Sequence, residues 1–381
     1  MNRKVLQAIT LALALVLTSM VAWASDYYVS QTGNNTTGDG SRANPWATIA
    51  HADSSGKLQP GDTVHVAPGT YTGSFQTYTS GTAVAPITYI SDTKWEAVLV
   101  GTSGSVFANH ADYVQIIGFE VMGNDRGQNG IYTDGVNTVI KANKVHNILR
   151  HTCNGSGGSG INLNGPNAQV IGNYVYDIGP FPKVCDYDQG IYFLQPGGIA
   201  ANNVSFNNAG HGIQLWACSS NELIYNNTLF NNAEGGIVVG ANCTNPANQV
   251  NDYTVVDNNI CYNTTRGIME EGVYTINGKA VLATGPHNIY HNNLVYGNSV
   301  AAIQVQTGIV SGTVTQDPKF VSYTGDCAGC YHLLPNSPAL GVGLSSDTTP
   351  NGGVVTFIDY DFDGVKRPQN GAFDIGAYQH H

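Results

Sequence analysis

Four residues suited to acid–base chemistry sit at matching places in the sequence: Asp188, His211, Glu234 and Arg266. Each lies two or three residues before an Ile that follows a Gly, namely Ile191, Ile213, Ile237 and Ile268. If each Gly-Ile pair opens a strand and the strands stack in parallel, neighbours in this series come roughly 5 Å apart. A carboxylate, an imidazole, a second carboxylate and a guanidinium would then line one edge. Two chemistries fit such a row. Arg266, or a metal ion, can neutralise a uronate carboxylate while His211 or Tyr192 abstracts the α-proton. Alternatively, Asp188 and Glu234 can act as acid and base in glycoside hydrolysis. They are two strands apart, roughly 10 Å at the backbone, which favours an inverting separation.

The elements that must position these residues are visible as a repeat. Six segments carry Asn at their second position and an aromatic residue or His at their fifth. They are Ala142–His146, Gly172–Tyr176, Asn202–Phe206, Asn226–Phe230, Asn258–Tyr262 and Asn292–Tyr296, with the Asn spaced by 30, 30, 24, 32 and 34 residues. After each comes a polar turn and then a Gly-Ile strand, Ala302-Ile303 closing a series that Gly130-Ile131 opens. One unit reads as three short strands with no helical period. Such a unit cannot bury its own apolar face and must stack on copies of itself. The repeat predicts an all-β right-handed parallel β-helix, in which buried Asn side chains hydrogen-bond from coil to coil. One domain over 25–381 is expected: opening coils and cap to about 110, regular coils to about 310, and a C-terminal cap segment beyond.

Alternation along each strand places a second set of residues on the outer face. Tyr192, Gln214, Trp216 and Glu271 are the expected substrate contacts there, because aromatic and amide groups suit the apolar faces and hydroxyl edges of sugars. Glu270 should point inward, either where the strand bends or against a partner such as Arg266. Long insertions, 147–159 and 178–189 before the strands and 240–252 and 272–288 after them, could wall this face. Register places Cys153 beside Cys185 and Cys218 beside Cys243, so each pair is expected to bridge adjacent insertions. A local Cys327–Cys330 disulfide is expected too, since no second close pair completes a zinc site. Seven cysteines leave at least one unpaired.

Composition narrows the classes. Charged residues are 11% of the chain, against roughly 25% in an average soluble protein. The formal charge is −11, and two of the positive charges, Arg3 and Lys4, belong to an N-terminal segment. That segment continues into a short apolar run and Ala22-Trp23-Ala24, and reads as a signal peptide over residues 1–24. A secreted chain with no membrane span is expected, acting as a monomer. Nucleic acid is an unsuitable partner for so acidic a surface. A polysaccharide is the expected partner. Asp359, Asp361 and Asp363 have the start of a calcium loop, D-x-D-x-D-G, but position twelve is Asn370.

The opening and the tail carry a resemblance. Tyr27-Tyr28-Val29-Ser30, Gly38-Asp39-Gly40, Pro45–Ile49, Pro60–Val64 and Pro68–Tyr71 resemble the first coils of pectate-lyase-like β-helix proteins. Chondroitinase B, alginate lyase and family 9 pectate lyase share that opening. Asp317–Phe320, Ser337–Ala339, Asp361–Gly364 and Asp374–Tyr378 are similar to the ends of many exported bacterial β-helix proteins. The resemblance implies a polysaccharide lyase with calcium as a cofactor. An inverting glycoside hydrolase or a non-catalytic glycan-binding protein on the same scaffold is the alternative. The middle coils carry almost no lysine and no close Asp-Asp cluster like that of family 9, so no catalytic residue transfers from the calcium-dependent lyases.

Overall fold

The computed structural model describes residues 24–123, 129–149, 153, 158–243, 250–276, 279–368 and 371–381. The expected signal peptide, apart from Ala24, and Asn370 lie outside the described residues.

The chain is a right-handed parallel β-helix. Among the described residues, three parallel sheets of eleven, nine and nine strands run the length of the stack. The Ile residues that open the Gly-Ile strands stand in one column, Ile131, Ile161, Ile191, Ile213, Ile237, Ile268 and Ile303, each paired with the next. Their sheet begins two coils before Gly130-Ile131, with Phe75–Thr77 and Phe107–Asn109. The short helix Ile49–Ser54, whose first turn is capped by Thr48, buries Ile49 and Ala52 against the first coils.

The asparagines form a continuous buried ladder. The Nδ2 groups of Asn143, Asn173, Asn203, Asn227 and Asn259 each donate to the Oδ1 of the next asparagine, ending at Asn293, at 2.9–3.1 Å. Each backbone N–H donates to the same oxygen. Each Nδ2 also donates to a carbonyl of the preceding coil, such as Val170 O from Asn203. The residue before each ladder Asn has a left-handed backbone, with φ from +51° at Asn292 to +63° at Gly172. Asn and Gly tolerate that conformation best, and five of the six units read Asn-Asn or Gly-Asn, Ala142-Asn143 being the exception.

The fifth position of each unit has a reason that the repeat alone does not reveal. His146, Tyr176, Phe206 and Phe230 stack ring on ring at 4.6–5.0 Å on the outside of the coil. The C-terminal segment covers the column: Phe320, Tyr331, Leu333, Ile375 and Tyr378 join the same apolar cluster. It therefore runs along the side of the stack. Buried Arg367 fastens it, donating to Asn202 Oδ1 and to Gly376 O at 3.0 Å.

Two expectations are corrected here. Cys327 and Cys330 are not bonded to each other, and both are free, as is buried Cys261. Cys330 opens the strand Cys330–Leu333 and its Sγ lies 3.2 Å from His332 Nδ1, so its side chain is committed along that strand. Glu270 does point inward, but Arg266 is not its partner. Its carboxylate accepts from the N–H groups of Gln306, Thr307 and Gly308, the Thr307 hydroxyl and the Tyr290 hydroxyl. These donors belong to the following coil and its corner, so Glu270 anchors the end of the stack.

Glu222 is fully buried at another corner, accepting from Ser220 N, Thr254 Oγ1 and Asn251 Nδ2. Burial pushes its carboxyl up to about 7, against the opposing effect of these donors. A carboxyl raised on folding stabilises the fold most below its unfolded value of about 4.3, and that stability is lost as pH rises through about 7. Thermal melts from pH 5 to pH 8 should therefore show Tm falling, with Glu222→Gln flattening much of the decline. A decline of the same size in Glu222→Gln would assign it to other groups.

Candidate active site

Register brings the rim residues together. His211 pairs with Gly235, and Gly235 with Arg266. Gly235 is needed there: a Cβ would sit 2.9 Å from His211 Cδ2, so the missing side chain makes room for the imidazole. His211 Nδ1 lies 4.0 Å from Asp186 Oδ1, and the ligating atoms of Asp186, His211 and Glu234 all fall within 4.8 Å of one another.

Asp186, not Asp188, is thus the carboxylate that joins the row. Asp188 N donates to Cys185 O at 3.1 Å, closing a tight turn over residues 185–188. The turn reverses the chain, so Asp186 stays exposed while Asp188 is buried and accepts from Gly158 N at 2.9 Å. Counting back from Ile191 along an extended strand misses this reversal. Cys185, held by its disulfide to Cys153, was the local signal that the chain is pinned there.

The row's protonation follows from burial. His211 is buried, and neither ring nitrogen has a hydrogen-bond partner among the described residues. Desolvation, helped by the Arg266 charge, lowers its pKa to about 3, so the imidazole is neutral. Desolvation and the charges of Asp186 and Glu271 push Glu234 up to about 7, with Arg266 opposing. Burial also raises Asp186, and its hydrogen bond with Glu234 lowers it. The Asp186 charge disfavours ionising both carboxyls together. Tyr192 is pushed up to about 12 by burial and by Asp186.

Beside this row lies a groove of about 460 Å³. Tyr192, Gln214 and Trp216 line it together with Asp186, Tyr187, Asn162, Asn242, Asn129 and Ser159. Cys153–Cys185 ties the lip that carries Asp186 and Tyr187, and Cys218–Cys243 ties the opposite lip next to Asn242. Trp216 packs its indole over Gly240 and Gly272, where a Cβ would strike it. Glu271 sits exposed at the end of its strand, in register with Gly240. Val238 and Met269, which alternation also places on the outer face, are buried. The 272–288 insertion contributes an antiparallel hairpin, Val273–Ile276 with Lys279–Leu282.

For a metal ion, the convergent donors are two carboxylates and one neutral imidazole. Calcium takes six to eight oxygen ligands, so this mixed set suits a cation that accepts nitrogen, such as zinc or manganese. The Asp359, Asp361 and Asp363 carboxylates are turned to other work. Asp361 accepts from the N–H groups of Asp363, Val365 and Gln379, Asp363 meets His332 at 2.7 Å, and Asp359 lies 3.9 Å from Lys366.

Comparison with known proteins agrees on architecture. Residues 104–280 match the family described as "Right handed beta helix region". Pectate lyase Pel9A is similar in structure, with a TM-score of 0.61 at 18% identity, covering 94% of this chain and 96% of that one. An alginate lyase from Paenibacillus sp. str. FPU-7 gives 0.55 at 18%, covering 77% and 98%. A rhamnogalacturonan lyase gives 0.55 at 15%, covering 88% and 95%. No curated protein matches the chain in sequence. These likenesses define the class as a right-handed parallel β-helix protein.

Proposed function

We propose that the chain is an exported enzyme that cleaves a polysaccharide in this groove by acid–base chemistry, with hydrolysis of the glycosidic bond as the reaction. The carboxyl pair carries the reading. Glu234 holds a proton up to about pH 7 beside the more exposed Asp186. Their ligating atoms lie within 4.8 Å of one another, closer than the ~6.5–9.5 Å of inverting pairs. Glu234 then protonates the leaving oxygen as Asp186 attacks the anomeric carbon, and a water deprotonated by Glu234 releases the sugar from Asp186. His211 positions the pair and Arg266 holds the row's charge in balance. The groups expected to abstract a proton suit that task less well: the His211 nitrogens are out of solvent, and Tyr192 ionises only near 12. Two disulfides fit export.

A second reading, β-elimination on an acidic glycan, is favoured by Arg266 and by the cation-capable set Asp186, His211 and Glu234. The pectate, alginate and rhamnogalacturonan lyases among the structural neighbours support a glycan substrate for either reading. The two separate on their products. Purified protein is incubated with polygalacturonate, alginate, chondroitin and neutral glycans, with and without divalent cations. New reducing ends without ultraviolet absorbance from unsaturated sugars are expected. Absorbance rising in step with reducing ends would replace hydrolysis by elimination, and neither signal would leave a binding protein.

Aromatic stacking in the groove predicts a binding effect. Tyr192→Ala should raise KM by about tenfold, in line with ~1.4 kcal/mol of lost contact, while kcat changes little. An unchanged KM would remove Tyr192 from the sugar site.

A further inference from the structure

A second convergence of ligand-type side chains lies away from the groove. Asp257 and His291 are in register on adjacent coils of the eleven-stranded sheet. Asp347 reaches them from the C-terminal hairpin Ser346–Thr348 with Val354–Thr356. The ligating atoms of all three lie within 4.8 Å of one another. His291 Nδ1 is 2.5 Å from Asp347 Oδ2, and Asp257 Oδ1 accepts from His291 N at 2.9 Å.

Asp257 supplies the independent observation. Its side chain is 0% exposed, and its Oδ2 has no hydrogen-bond donor among the described residues. That carboxylate faces Asp347, another acceptor. Two carboxylates can approach in a buried place only if a proton or a cation lies between them. His291 and Asp347 keep 20% and 16% of their side-chain surface exposed, so an ion could enter and retain a water.

We propose that Asp257, His291 and Asp347 bind a divalent cation of the zinc or manganese type, which clasps the C-terminal segment to the coil stack. Two carboxylate oxygens and one imidazole nitrogen make three protein ligands, and water completes a four-coordinate shell. The donors come from two coils and from a segment more than fifty residues later in the chain, so binding ties together parts that the apolar packing of Phe357 and Phe373 already brings close. The site is structural, and it stands apart from whatever reaction the groove performs.

The test uses the full mature chain carrying Asp186→Asn, which removes one donor from the groove's own carboxylate–imidazole set. Zn2+ alone is titrated calorimetrically and melts are recorded with Zn2+ and with EDTA. One equivalent should bind, and Zn2+ at about a hundred times its Kd should raise Tm by roughly 2–4 °C, reversed by EDTA. Adding Asp347→Asn should abolish both binding and shift. His291→Gln is the second variant, should Asp347→Asn fail to fold, and the same loss is expected. No bound equivalent, or a shift that survives in these variants, would overturn the proposal. A Tm that falls with rising pH but ignores Zn2+ would do so as well, by showing that Asp257 and Asp347 share only a proton.

Discussion

Glu234→Gln is expected to lower the cleavage rate about a thousandfold while leaving the fold intact. Glutamine keeps the volume and hydrogen-bonding reach of the side chain but cannot give up a proton to a leaving oxygen. General acid catalysis contributes ~10²–10⁴-fold, and the loss should fall in that range. The substitution should not cost stability, because it removes a carboxyl that burial and the Asp186 and Glu271 charges already disfavour in its ionised form. KM should move less than kcat, since the proton is delivered in the transition state. Glu234→Asp, one methylene shorter, should recover part of the rate. A Glu234→Gln enzyme within threefold of the wild type would place the proton donor elsewhere.

The largest expected stability effect belongs to the ladder. Asn203→Ala removes a side chain that accepts from Asn173 N and Nδ2 and donates to Val170 O and Asn227 Oδ1. All of these partners are in buried surroundings, and no water can replace the lost bonds without opening the stack. Each buried group left unpaired costs about 1–3 kcal/mol, so a loss of roughly 3–5 kcal/mol is expected from denaturant unfolding. Asn203→Asp should be comparably damaging: it cannot donate to Val170 O, and a charged form would be buried. A loss below about 1 kcal/mol would mean that neighbouring coils re-pair around the gap.

Much of the scaffold was legible because a solenoid writes its contacts into sequence period. A polar residue recurring at one place in each coil, such as Asn173, Asn203 and Asn227, must be satisfied by its own copies. The Ile column then sets the register that brings His211 over Gly235 towards Arg266. What remained hidden depends on departures from period. Asp186 replaces Asp188 because the turn at residues 185–188 breaks the extended count. The partners of Glu270 include the backbone N–H groups of residues 306–308, and backbone donors leave no mark in a sequence. The aromatic fifth position is explained by Tyr331 and Tyr378, which belong to a segment with no repeat at all. The proposed cation clasp was invisible for the same reason, since Asp347 lies in that segment.

In the proposed mechanism a proton held by Glu234 beside Asp186 drives cleavage. The pH dependence of kcat tests it most directly, on whichever glycan the product screen identifies. Because the protonated form of Glu234 is the active one, kcat should be highest below about pH 7 and fall about tenfold per unit above it. The residual rate of Glu234→Gln should lack that limb. A wild-type kcat that stays level, or rises, from about pH 6 to about pH 9 would contradict the account.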